Sequence, residues 1–261
     1  MSGPPSGGSE AATVRVRMTL AYDGRGFHGF AAQSSEVRTV AGVVGTALER
    51  KLGQPVVLVA AGRTDAGVHA WGQVVSFDAP AGFDPQRFLL SLNRVLAPEV
   101  VVRAIEVADP AFDARRSARS RGYRYTVLNR PLPDPFLAAT AWHVPELLDL
   151  GAMRLACDPL IGEHDFSSFC RRPRSVTGEV SMVRRVQDAR WSDVGDDLLR
   201  FEIEASSFCQ QMVRSIVGLM VAVGRGSRRA GEMAGVLRAG DRSLAPHLAP
   251  AHGLCLWEVK Y

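Results

Sequence analysis

Residues 14–22 alternate in character, with Val14, Val16, Met18, Leu20 and Tyr22 set against Arg15, Arg17, Thr19 and Ala21. A period of two specifies a strand that buries one face and leaves the other to polar neighbours. This strand is the first of six segments whose order constrains the fold more than any other property of the chain. A glycine-rich loop follows, Asp23-Gly24-Arg25-Gly26-Phe27-His28-Gly29-Phe30. Thr39 then caps a helix through about Lys51, with Val40, Val43, Val44, Ala47 and Leu48 on its apolar face. Strands are expected at Val56–Ala61 and Gln73–Phe77, a helix from Pro85 to Val95, and a strand at Val100–Val107. The order β-α-β-β-α-β is that of the ferredoxin-like split unit, an antiparallel sheet with helices on one face.

The same broad order begins again after Pro110. A strand is expected at Gly122–Leu128 and a helix from about Leu147 to Ile161. Val183–Trp191 and Leu198–Ser206 read as a hairpin turning at Gly195-Asp196-Asp197. Met212, Val213, Ile216, Val217, Met220 and Val221 mark a helix over Gln210–Val223. A short helix, Ala230–Arg238, and a strand, Leu254–Tyr261, complete the pattern. The expected class is therefore α+β, built from two related halves meeting near residues 108–114. That gives a tail over 1–12, one unit over 13–110 and a second over 111–261.

Composition narrows the setting. With 261 residues, 46% of them hydrophobic and 22% charged, the chain suits a globular core. No apolar run approaches the roughly 20 residues that cross a bilayer. Met1–Ala12 is rich in Gly, Ser and Pro and lacks the basic and apolar regions of a secretory leader, so it is expected to be a disordered tail. Cys157, Cys170, Cys209 and Cys255 are widely spaced, with no C-x-x-C pair. Scattered reduced thiols, rather than a zinc site, are expected.

The net charge is +4, and among the basic residues only Lys51 and Lys260 are lysines. GC-rich codon usage alone would produce such a bias. The distribution says more. Arg115, Arg116, Arg119, Arg121, Arg124 and Arg130 fall in one segment, interleaved with Tyr123 and Tyr125. Arg171, Arg172, Arg174, Arg184 and Arg185 form a second concentration. Guanidinium forks suit phosphate oxygens and aromatic rings stack on bases, although either cluster could equally be a solvated strand face.

The densest chemistry lies in Ala61-Gly62-Arg63-Thr64-Asp65-Ala66-Gly67-Val68-His69, a glycine-bounded loop between two expected strands. Gly62 and Gly67 permit tight turns and close approach of a ligand. Asp65 could simply cap its own turn, a common use of aspartate.

At this nonapeptide the chain resembles tRNA pseudouridine synthases of the TruA type. Further blocks follow in the family's order: Leu20-Ala21-Tyr22-Asp23-Gly24 with Gly29 and Gln33; Phe112-Asp113-Ala114-Arg115 with Ser117-Ala118 and Tyr123-Arg124-Tyr125; Gly162-Glu163-His164-Asp165-Phe166-Ser167-Ser168-Phe169; Phe208 and Met212-Val213-Arg214 with Ile216-Val217-Gly218; and Gly253-Leu254. Together they span roughly residues 13–261. Phe30-Ala31 stands where the family has a tryptophan-glutamine pair, Asn93-Arg94-Val95-Leu96-Ala97 departs from an Asn-x-x-Leu-Pro pattern, and Arg121-Gly122 replaces a basic pair.

The resemblance implies a pseudouridine synthase fold, in which the two ferredoxin-like halves share one continuous central sheet and enclose an RNA-binding cleft. It implies an isomerase of uridines 38, 39 and 40 in the anticodon stem-loop of tRNA, working as a cytoplasmic homodimer without metal or organic cofactor. Asp65 would be the nucleophile, Arg214 its ion-pair partner, and Arg63 the residue that holds the target base flipped out. Tyr123 would stack on the uracil. Arg115 and Arg121 would bind the tRNA. His69 is expected to be a satisfied loop histidine with no acid–base role.

Two other readings are weaker. Gly24-x-Gly26 near a first strand invites a nucleotide-binding site, but the G-x-G-x-x-G spacing and a Walker lysine are both missing. An RNA-binding module without catalysis would have no use for Asp65 facing phosphates.

Overall fold

The alternation at the start of the chain becomes β1 (Thr13–Tyr22). Val16, Met18 and Leu20 are wholly buried on one face, while Arg15 and Arg17 pair across the other with Asp78 and Glu106. The structure, a computed structural model, describes residues 12–34, 36–172 and 180–261. The tail expected over 1–12 lies, except for Ala12, outside the described residues, as does Arg174.

In chain order β1 is followed by α1 (Val40–Leu52), β2 (Val59–Ala60), β3 (His69–Pro80), α2 (Pro85–Leu96) and β4 (Val100–Val107). Then come β5 (Ser120–Leu128), β6 (Trp142–His143), α3 (Leu150–Leu155), β7 (Gly162–Asp165), β8 (Val183–Asp193), β9 (Leu198–Ala205), α4 (Met212–Gly224), α5 (Glu232–Ala239) and β10 (Leu254–Lys260). The Thr39 side chain accepts from the Gly42 amide and starts α1 as expected. Asp84 does the same for α2, accepting from Gln86 and Arg87.

All ten strands join one mixed sheet, ordered β4-β1-β3-β10-β5-β9-β8-β7, with β2 against β3 and β6 against β5. The strands of the earlier set lie as β4-β1-β3-β2, and those of the later set as β10-β5-β9-β8. Each set reads fourth, first, third, second, which is the ferredoxin-like order. The sets join where β10 runs parallel to β3, pairing Cys255 with His69 and Leu256 with Ala70. The opposite edge of β10 pairs antiparallel with β5.

One apolar cluster runs through the sheet and its covering helices, from Val16 and Phe77 to Phe201 and Met220. The polar side of the sheet carries ion pairs and a short aromatic stack. Trp71 and Trp257 lie 5.7 Å apart, with Arg103 over the first ring and Arg124 over the second. Among the described residues no helix is long and apolar enough to cross a membrane.

Three expectations need correction. The strand at Val56–Ala61 shrinks to Val59–Ala60, and Val57 is 81% exposed. An apolar run is not a strand until a partner edge is in reach, and β3 reaches only its end. The helix over Leu147–Ile161 is confined to α3. Asp149 caps it by accepting from the Ala152 amide, and Pro159 cannot donate to continue it, so residues 158–160 form a separate tight turn. The thiols are not all free. Cys170 and Cys209, with Cα atoms 5.7 Å apart, form a disulfide, leaving Cys157 and Cys255. The hairpin turn falls where expected, with Gly195, Asp196 and Asp197 all at positive φ.

Candidate active site

The loop between β2 and β3 is held from below by buried polar groups. The Ala61 amide donates to the Val74 carbonyl, so the loop leaves the sheet at a fixed point. The Tyr22 hydroxyl and Thr64 Oγ1 share a 2.8 Å hydrogen bond. Gln73 Nε2 donates to the Gly62 carbonyl at 2.7 Å, and the Phe30 amide to the Thr64 carbonyl at 3.1 Å. Gly29 has φ +96°, and a Cβ there would stand 2.9 Å from the Thr64 oxygen. Glycine is therefore required at this close approach. Burial raises the Tyr22 hydroxyl well above the usual phenol range, which keeps it neutral as a partner for Thr64.

On this base Arg63 is exposed, Thr64 is buried and Asp65 is half-buried. Asp65 Oδ2 lies 3.6 Å from Arg214 Nη1. Every residue of α4 except Arg214 is buried, so a lone charge stands in the first turn of an apolar helix. Its Nε donates to the Ala249 carbonyl at 2.7 Å, which aims the remaining guanidinium nitrogens at the loop. A side chain charged in such surroundings requires partners, and these are the ones the fold supplies.

Tyr123 on β5 is 9% exposed and meets the Phe208 ring edge-on at 5.0 Å. Burial, reinforced by the neighbouring Tyr22 and by the Asp65 carboxylate, raises its hydroxyl above the usual range. Tyr125 packs inward, with its hydroxyl on the Pro250 carbonyl. His69 accepts the Gly24 amide at Nδ1, and its Nε2 lies 3.1 Å from the Ala139 carbonyl. Both ring nitrogens thus have structural partners, with Asp23 Oδ1 also 3.3 Å from Nδ1, and the residue opens β3 rather than lying in the loop.

The arginine clusters divide. Arg115, Arg116 and Arg119 are exposed. The Asp113 side chain accepts from the amides of Arg115 and Arg116, and those bonds hold its carboxyl below the usual range. Arg124 is engaged by Glu202, and Arg130 by Asp134. Arg171 and Arg172 are exposed and border a hollow with Gln211 and Arg242. Arg121, expected among the tRNA contacts, is turned inward. It is 8% exposed, and all its N–H groups go to backbone carbonyls of Ala61, Arg115, Ala118 and Ser206. A guanidinium with no free donor has none left for a phosphate. Tyr22, Thr64 and Gln73 were not singled out in the sequence as site residues. A polar amide at the head of an otherwise apolar strand is the signal that could have found Gln73.

Asp65 therefore stands beside the Arg214 guanidinium, near the buried Tyr123 and next to the exposed Arg63, and an ionised carboxylate can serve as a nucleophile. Comparisons with known proteins identify the family. Residues 156–261 match the family model described as tRNA pseudouridine synthase. Three proteins called tRNA pseudouridine synthase A align along nearly the whole chain. That of Brevibacillus brevis is 40% identical over 247 residues, covering 95% of this chain and 99% of its own. That of Moorella thermoacetica is 42% identical, covering 94% and 99%. That of Bacillus subtilis is 38% identical, covering 95% and 99%.

This chain belongs to the tRNA pseudouridine synthase family. The family consists of isomerases, and the alignments with its members run through both sets of strands, not only the region 156–261. Among the described residues no cluster of His, Cys, Asp and Glu is arranged to hold a metal ion.

Proposed function

We propose that this chain isomerises uridine to pseudouridine at positions 38, 39 and 40 of the tRNA anticodon stem-loop, with Asp65 as the nucleophile. The reaction breaks the N1–C1′ bond, rotates the uracil and joins C5 to C1′. The hydrogen on C5 is lost to solvent and N1 regains one, so atoms balance without a redox step. Asp65 would attack C1′ or C6, with Arg214 fixing the carboxylate. Arg63, exposed at the lip of the loop, would occupy the space left by the flipped nucleotide. Tyr123 would form the floor under the uracil. The two units over 13–110 and 111–261 would enclose the RNA between them. A cytoplasmic homodimer is part of the same reading and rests on the family resemblance.

The observation that carries it is the Asp65–Arg214 pair, made by residues distant in sequence, with Asp65 half-buried beside the exposed Arg63. The test uses tRNA carrying 5-tritiated uridine. Tritium should be released from wild-type transcript and not from one with cytidine at positions 38–40. Release from both transcripts would overturn the choice of site.

The exposed Arg115, Arg116 and Arg119 supply phosphate contacts in this reading. The logarithm of tRNA affinity should fall linearly with that of salt concentration. Arg115→Ala should make that slope shallower by about one while leaving kcat in place. An unchanged slope would remove Arg115 from the tRNA surface.

A further inference from the structure

Two consecutive carbonyls stand immediately before Arg63, and each is gripped by a buried side chain. The Ala61 carbonyl accepts from both Nε and Nη2 of Arg121, at 3.2 and 2.8 Å. The Gly62 carbonyl accepts from Gln73 Nε2 at 2.7 Å. The remaining donors of Arg121 reach the Ser206 carbonyl at 2.7 Å, Arg115 at 2.8 Å and Ala118 at 3.3 Å. Ser206 follows β9 directly and opens the short segment that leads into α4 and Arg214. Arg115 and Ala118 belong to the turn that presents the exposed arginines.

We infer that Arg121 and Gln73 are positioning residues, a clamp that fixes the Asp65 loop against both the Arg214 segment and the arginine turn. This rests on the reading of Asp65 as nucleophile. One guanidinium joins three separate stretches of backbone that must keep register for the nucleophile, its partner and the tRNA surface to meet. Among the described residues no carboxylate lies within ion-pair distance of Arg121, and burial pushes its guanidinium below the usual arginine range. A buried cation with no counter-charge and every donor on a carbonyl is held for geometry. Gln73 points the same way. It is fully buried, and its Oε1 has no hydrogen-bond partner. An amide that leaves its own oxygen unpaired adds little to stability, so what it supplies is the placement of Gly62.

The experiment compares full-length Arg121→Lys and Gln73→Met with wild type, following thermal midpoint, tRNA affinity at several salt concentrations, and kcat and KM for tritium release. A lysine keeps the charge but cannot grip four carbonyls. Methionine keeps the volume of Gln73 and loses its bond to the Gly62 carbonyl together with the longer one, 3.5 Å, to the Tyr22 hydroxyl. The clamp predicts a salt slope near wild type for both, because the exposed arginines remain, and a KM near wild type for Gln73→Met, which has no bond to the arginine turn. The kcat should drop on the order of 100-fold for Arg121→Lys and about 10-fold for Gln73→Met, as expected for a displaced nucleophile. Folded variants with wild-type kcat would overturn the inference. So would a shallower salt slope with kcat intact, which would make Arg121 a phosphate contact. Should Arg121→Lys fail to fold, Gln73→Met decides alone by its kcat. An Asp65→Asn control run alongside separates the two levels: activity retained there would sink the nucleophile reading and the clamp with it, whereas activity lost there but kept in Arg121→Lys and Gln73→Met would sink the clamp alone.

Discussion

Asp65→Asn is expected to stop tritium release from 5-tritiated uridine in tRNA while leaving tRNA affinity nearly unchanged. The loss should be on the order of 10⁴-fold or more, the scale seen when a nucleophilic unit is broken. The reason is specific to the site. Thr64 and the carbonyls of Ala61 and Gly62 hold the loop through groups other than the Asp65 side chain. The substitution therefore removes the attacking oxygen and keeps the shape. In the proposed reading the phosphate contacts come from the exposed arginines and not from this carboxylate. Tight binding with no release would place Asp65 in the chemistry. A large loss of affinity with it would place Asp65 in docking or folding.

Arg214→Leu should damage both activity and stability. It removes the ion-pair partner at 3.6 Å and the bond from Nε to the Ala249 carbonyl. Freed of its partner, Asp65 should lose position, with kcat falling about 100-fold. Loss of the bond to Ala249 should lower unfolding free energy by about 1–3 kcal/mol, read by denaturant titration. The leucine packs well on a helix that is otherwise buried, so collapse of the fold is not expected. Wild-type kcat in this variant would show that the pair has no part in the reaction.

The regular parts of the fold were legible where local chemistry and periodicity agree. Thr39 ahead of Val40, Val44 and Leu48 fixes α1, and Gly195-Asp196-Asp197 fixes the β8–β9 turn. Errors fell where the decision lies with a distant partner. Nothing local tells that Val57 finds no neighbouring edge, or that Cys170 sits across from Cys209. Arg121 shows this most sharply. In sequence it is one arginine in a basic run, indistinguishable from Arg119. Its acceptors come from Ala61 and Ser206, far along the chain in both directions. The loop carrying Asp65 was legible from the motif, and Arg214 from its place as a charge beside an apolar helix stripe together with the resemblance to a family. The geometry that joins them is a property of the sheet.

That sheet has an order of manufacture as well as a shape. β10 comes after every other described element in the chain, yet it lies between β3 and β5. Translation proceeds at about 5–20 residues per second, so a growing polypeptide spends seconds with β1, β3 and β5 made and the middle strand missing. During that interval β3 and β5 offer unpaired edges, the kind that invite wrong partners. The arginines of the 115–119 turn have by then already left the ribosome, ahead of both Arg214 and β10. A nascent chain thus carries its basic turn before the Asp65–Arg214 pair is complete. Competence to modify arrives only with the strand that closes the gap.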